Sequence, residues 1–90
     1  MTEEYKKVYL TCNVSEGQFS NESAVSMEDY QGGKYSGFFN NNSIKDGKLE
    51  VKIWNEKENL VLVGLPGRLL EVPGAGDYIT VKREQIDIEN

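Results

Sequence analysis

The sequence predicts an all-β protein, a small antiparallel barrel of five to six short strands that occupies residues 1–90 as a single domain. Three observations lead there. Short runs alternate between apolar and polar residues, the period of a half-buried strand. Tight turn signals rich in Gly, Asp and Asn separate those runs. No stretch repeats its apolar residues convincingly at helical spacing. A chain of 90 residues, 38% hydrophobic and 28% charged, is globular in composition. At that length it buries only about 60–65% of its unfolded surface, enough for one core.

Residues 7–14 alternate with Val8, Leu10, Cys12 and Val14 on one face and Lys7, Tyr9, Thr11 and Asn13 on the other. After a turn at Ser15, Glu16 and Gly17, the second strand is expected over residues 18–28. Its apolar positions are Phe19, Val25 and Met27, and the polar patch at residues 20–23 calls for a bulge or a late start near Ser23. Residues 29–37, with three glycines, read as a long loop, and residues 38–45 as the third strand. Asp46-Gly47 is the strongest local signal, because a type I′ turn needs φ > 0 at both central positions and this pair tolerates it at low cost.

Residues 48–54 alternate again, placing Leu49, Val51 and Ile53 inward and Lys52 and Trp54 outward. A turn at residues 55–58 leads to residues 60–65, apolar on both faces and therefore a central strand whose second face is covered by a loop or a neighbouring chain. Residues 64–77, with both prolines, form a loop. The last strand is residues 78–83, with Ile79 and Val81 inward, followed by a single turn that tucks Ile86 and Ile88 under the barrel and then a frayed tail. This arrangement resembles the short barrel of an SH3 domain. An OB-like barrel is the alternative, disfavoured because no helix falls between the third and fourth strands. The likeness covers most of the chain and carries no functional residues across.

The composition excludes several chemistries. There are no histidines, which removes the Ser-His-Asp and Cys-His systems. The single Cys12 cannot form an internal disulfide and sits on an apolar face, where a thiol is a small hydrophobe. Acid pairs at Glu3-Glu4, Glu28-Asp29 and Glu56 with Glu58 fall at a terminus and at turns, so they read as solvated surface rather than a hydrolytic dyad. Gly74-Ala75-Gly76 begins like a dinucleotide fingerprint, but Ile79 replaces the third glycine and no helix follows. Oxygen donors at Asn40, Asn41, Asn42, Ser43 and Asp46 miss the EF-hand spacing and carry one charge. No catalytic residue, metal or cofactor is therefore expected.

The formal charge of −5 disfavours a polyanionic partner, and a charged N-terminus without an apolar run lacks the look of a secretory signal. With no stretch approaching the roughly 20 apolar residues that span a bilayer, a cytoplasmic protein with no membrane partner is expected. The sequons at Asn13, Asn21 and Asn41 are then chance matches. Trp54 stands out, because its strand phase points it away from the core: either it lines a shallow aromatic groove with Tyr30, Tyr35 and Phe38, or it belongs to a second minor core beneath the loop at residues 29–37. The leading expectation is a non-catalytic module that binds a protein or itself. The alternative is a barrel binding single-stranded nucleic acid through Lys45, Lys48, Lys52 and Trp54, with Glu50 interrupting that stripe.

Overall fold

The computed structural model describes residues 7–67, 69–70 and 77–89. Among them the chain forms nine strands and two single 3-10 turns. The strands are β1 (Lys7–Thr11), β2 (Asn13–Glu16), β3 (Glu22–Glu28), β4 (Lys34–Asn40), β5 (Ile44–Lys45), β6 (Lys48–Lys57), β7 (Leu60–Gly64), β8 (Tyr78–Lys82) and β9 (Ile86–Glu89). They are antiparallel throughout and pair into two sheets. One runs β8-β7-β6-β1-β9 with β5 also on β6, and the other runs β2-β3-β4. The all-β antiparallel expectation holds. The strands outnumber the five or six expected, and their pairing among the described residues closes no barrel.

The alternating run at residues 7–14 is two strands with a corner between them. β1 pairs with β6 and β9, whereas β2 pairs with β3 in the other sheet, and Cys12 alone separates them. A strand that changes sheets at a bend is how two sheets come to share a core. Cys12 is half-buried at that bend, its thiol donating to the Gly47 carbonyl at 3.5 Å, and burial pushes the thiol's pKa up. The core gathers small and branched side chains from both sheets, with Leu10, Leu49, Val61, Val63 and Val81 of the first meeting Val25, Met27 and Phe39 of the second. Leu65 and Leu69, both in the β7–β8 connection, complete it.

Several boundaries differ from the expectations. β3 starts at Glu22, and Phe19 lies in the preceding turn with 66% of its surface exposed, not in a strand. The loop expected over residues 29–37 shrinks to a tight turn over residues 29–33, so the third strand of the alternating pattern is residues 34–40 rather than 38–45. Gly37 does not break β4: it is buried and pairs opposite Val25. The turn is held by Asp29, whose Oδ1 accepts from the Gln31 and Gly33 amides at 2.9 and 2.8 Å and whose Oδ2 accepts from the Tyr35 hydroxyl at 3.2 Å. The tail is a strand: β9 pairs with β1 from Glu89 to Ile86, Ile86 packs on the core, and Ile88 stays 51% exposed. The Asp46-Gly47 hairpin forms as expected, with φ of 55° and 77°. The fingerprint-like Gly74-Ala75-Gly76 and most of the predicted 64–77 loop lie outside the described residues.

Two contacts tie the sheets together away from the corner. The Tyr30 amide donates to the Thr80 carbonyl at 2.9 Å, and Gln85 Nε2 donates to the Glu28 carbonyl at 2.9 Å.

Two stability predictions follow the packing. Leu10 is fully buried, so Leu10→Ala should cost about 2–5 kcal/mol in urea unfolding, while Phe19→Ser should stay within about 0.5 kcal/mol of wild type. A cost of similar size at both positions would contradict the assigned core. For Asp29, desolvation raises the carboxyl pKa, but the hydrogen bonds from Gly33, Gln31, Tyr35 and Gly32 outweigh it and hold the group below its ordinary range. A depressed folded pKa contributes stability above the unfolded value of about 3.9 and loses it as pH falls through the folded value. The stability gap between wild type and Asp29→Ala should therefore be constant at neutral pH and narrow in acid below that value. A gap that ignores pH there would contradict the turn's anchoring by the carboxylate.

Candidate functional site: a groove floored by a glycine

The site begins with a register irregularity. β6 pairs with β7 as Lys52 to Gly64 and Ile53 to Val63, then resumes as Asn55 to Leu62, leaving Trp54 without a partner of its own. An extra residue in one strand of a pair is a β-bulge, which bends the strand and re-aims the side chain it carries. Trp54 stays on the outer face, as its phase predicts, and is 60% exposed.

The cross-strand row beside it runs from Lys52 on β6 through Gly64 on β7 to Tyr78 on β8. Because Gly64 has no side chain, the indole lies over its backbone: a Cβ there would collide with Trp54 Nε1 and stand 2.8 Å from Cδ1. Tyr78 comes in from the far side, and the two rings meet edge to face with centroids 5.5 Å apart at 78°. That is a favoured aromatic geometry, and Tyr78 remains 50% exposed.

Around this pair lies a groove of about 480 Å³, floored by Gly64 and the neighbouring backbone, with Lys52 and Glu50 on the β6 side and Pro66 and Asp77 on the other. The volume falls within the range of small-molecule and peptide-residue pockets. The indole N–H and the Tyr78 hydroxyl make no hydrogen bond to another described residue.

The four residues expected to form the aromatic groove do not converge there. Tyr30 lies at the β3–β4 turn and lines a separate depression with Lys82 and Gln85. Tyr35 is half-buried against the core, opposite Met27. Phe38 lies partly exposed opposite Ala24, on the β2-β3-β4 sheet. Trp54 is joined instead by Tyr78, at the start of β8. Its signal was available: Ile79 and Val81 face inward, so the alternation puts Tyr78 outward.

The lysine stripe is largely committed to carboxylates. Lys45 Nζ lies 2.7 Å from Glu89, and Lys48 pairs with Asp87, each partner raising the lysine's pKa. Lys52 makes no ion pair with a described residue, which leaves one uncommitted cation of the three. The asparagine oxygens are also engaged. Asn40 Oδ1 accepts from the Asn42 amide at 2.8 Å, and Asn41 Oδ1 accepts from Ser23 at 2.6 Å. Among the described residues no helix is long and apolar enough to cross a membrane.

No protein family, curated protein or solved structure matches the chain.

The Gly64 floor is directly testable. In Gly64→Ala the obstructed atoms belong to the end of an exposed, movable side chain, so the indole should swing away while the fold persists. Tryptophan emission should shift and near-ultraviolet dichroism should weaken, with stability changing by no more than about 1 kcal/mol. Unchanged Trp54 spectra would show that the indole does not rest on Gly64.

Proposed function

We propose that this chain is a non-catalytic, cytoplasmic interaction module with the short-strand architecture of an SH3-like barrel, and that it holds an extended, proline-containing segment of a partner protein in the Trp54–Tyr78 groove. The observation that carries the reading is the pairing of two half-exposed aromatic rings over a glycine in a central strand. Leaving tryptophan in water forgoes a large hydrophobic gain, and such aromatics are the residues that dominate binding energy when a partner covers them.

The choice of ligand follows from the groove's polar groups. A polyproline II segment has no internal hydrogen bonds, so its carbonyls are free to accept. The Trp54 indole N–H and the Tyr78 hydroxyl are donors without a described partner. Ring faces against pyrrolidine rings and donors against carbonyls would complement such a segment, whose ordering cost is low because its conformation is preset.

The test is fluorescence anisotropy with a panel of labelled short proline-rich peptides. At least one should bind wild type, and Trp54→Ala or Tyr78→Ala should weaken it at least about tenfold, as expected for a central anchor. Phe38→Ala, on the other sheet, should bind as wild type does. Binding that survives loss of Trp54 but not of Phe38 would move the site to the other sheet.

A further inference from the structure

The outer face of β7 continues beyond the groove. From Gly64 it runs back through Leu62 to Leu60, both part-exposed and outside the core cluster. This is the second apolar face that the run at residues 60–65 predicts, and such a face calls for a cover. Each leucine sits in a cross-strand row. Leu62 lies between Asn55 of β6 and Thr80 of β8, and Leu60 lies between Lys57 and Lys82. A depression of about 560 Å³ opens at the Leu60 end, lined by Leu60, Asn59, Lys82, Arg83 and Glu84.

Among the described residues neither Lys57 nor Lys82 makes an ion pair, whereas Lys7, Lys45 and Lys48 each do. Acids stand nearby: Glu56 is taken by Arg83, Glu58 lies in the β6–β7 turn, and Glu84 lies in the 3-10 turn after β8. Glu56, Glu58 and Glu84 balance Lys57, Lys82 and Arg83, so net charge selects no ligand at this end of the sheet. Placement does. The two lysines share one row, their backbones about 10 Å apart at strand spacing, with the apolar Leu60 between them.

We propose that the partner segment runs on from the Trp54–Tyr78 groove along β7, lays an apolar side chain on Leu62, and places a glutamate or aspartate over Leu60 between Lys57 and Lys82. This rests on the peptide-binding reading above. The four residues from Gly64 to Leu60 span about 13 Å. A polyproline II chain rises about 3.1 Å per residue, so the acid sits about four residues from the proline over Gly64. Each lysine stem covers apolar surface beside the leucine while its ammonium reaches the carboxylate. An amide at that position lacks the charge, and an arginine meets two like charges.

The test is calorimetric titration of the wild-type chain with proline-rich peptides identical except at one position. They carry glutamate, glutamine or arginine about four residues before or after the proline run. In one placement the glutamate peptide should bind at least about fivefold tighter than its glutamine counterpart at about 50 mM salt, with the advantage shrinking toward about 500 mM. Lys57→Ala and Lys82→Ala together should erase the advantage and leave the glutamine peptide's affinity unchanged. Lys52→Ala, two rows away beside Gly64, should preserve it.

Equal affinity for the glutamate and glutamine peptides in both placements, with binding still dependent on Trp54, would overturn the acidic assignment and leave the peptide groove standing. So would tightest binding by an arginine peptide, or an advantage lost in Lys52→Ala but kept in the double variant. Failure of every peptide to bind would overturn both readings together.

Discussion

β6 has to serve three neighbours at once. Ten residues long, it pairs with β1 over Lys48 to Val51, with β5 at Lys48 and Leu49, and with β7 from Lys52 to Lys57. A strand of that length, on the order of 34 Å, cannot follow partners in a twisted sheet without accumulating strain or bending. The bulge at Trp54 provides the bend. It restores pairing at Asn55 and brings Glu56 opposite the buried Val61, where Glu56 meets Arg83 at the sheet's end. The same irregularity sets an aromatic side chain beside the one position of β7 that has no side chain. The groove is thus a consequence of how the longest strand is accommodated.

The core and the groove lie on opposite faces of the same strands. Val61 and Val63 of β7 are buried inward, while Leu60, Leu62 and Gly64 face the side that carries Trp54 and Tyr78. The corner at Cys12 and the ties from Tyr30 to Thr80 and from Gln85 to Glu28 hold the second sheet against the inner face. The aromatic pair is therefore presented by two strands, β6 and β8, that the core already fixes, which suits a binding surface better than a mobile loop would. The opposite end of the outer face is closed by charge. Lys45 and Lys48 are engaged by Glu89 and Asp87, and the partner carboxylate of Lys45 is held below its ordinary pKa by that contact.

The sequence carried most of this architecture wherever local rules decide it. Alternation located β1, the first half of β6 and β8, a short unbroken apolar run located β7, and Asp46-Gly47 located a hairpin, because side-chain pattern and turn dihedrals act within a few residues. It failed where tertiary packing overrode composition. Gly33 ends a turn, but Gly37 lies inside β4 facing Val25, and the two look alike in a glycine-rich stretch. Phe19 looks like a core residue and is a turn residue held outside both sheets. β9 alternates Ile86 and Ile88 with Asp87 and Glu89, yet its partner β1 is at the far end of the chain. The outward phase of Trp54 was legible. Its meeting with Tyr78 was not, because that depends on a bulge and two registers that bring residue 54 across residue 64 to residue 78.

The single tryptophan gives the central claim a direct probe, since Trp54 contributes the one indole N–H resonance of the chain. The measurement is a two-dimensional ¹H–¹⁵N NMR titration with a proline-rich peptide. The indole peak should shift saturably and in step with the backbone amides of Gly64 and Tyr78. A stationary indole peak, with the largest shifts at Tyr30, Phe38 or Leu70, would contradict it and place the binding surface elsewhere.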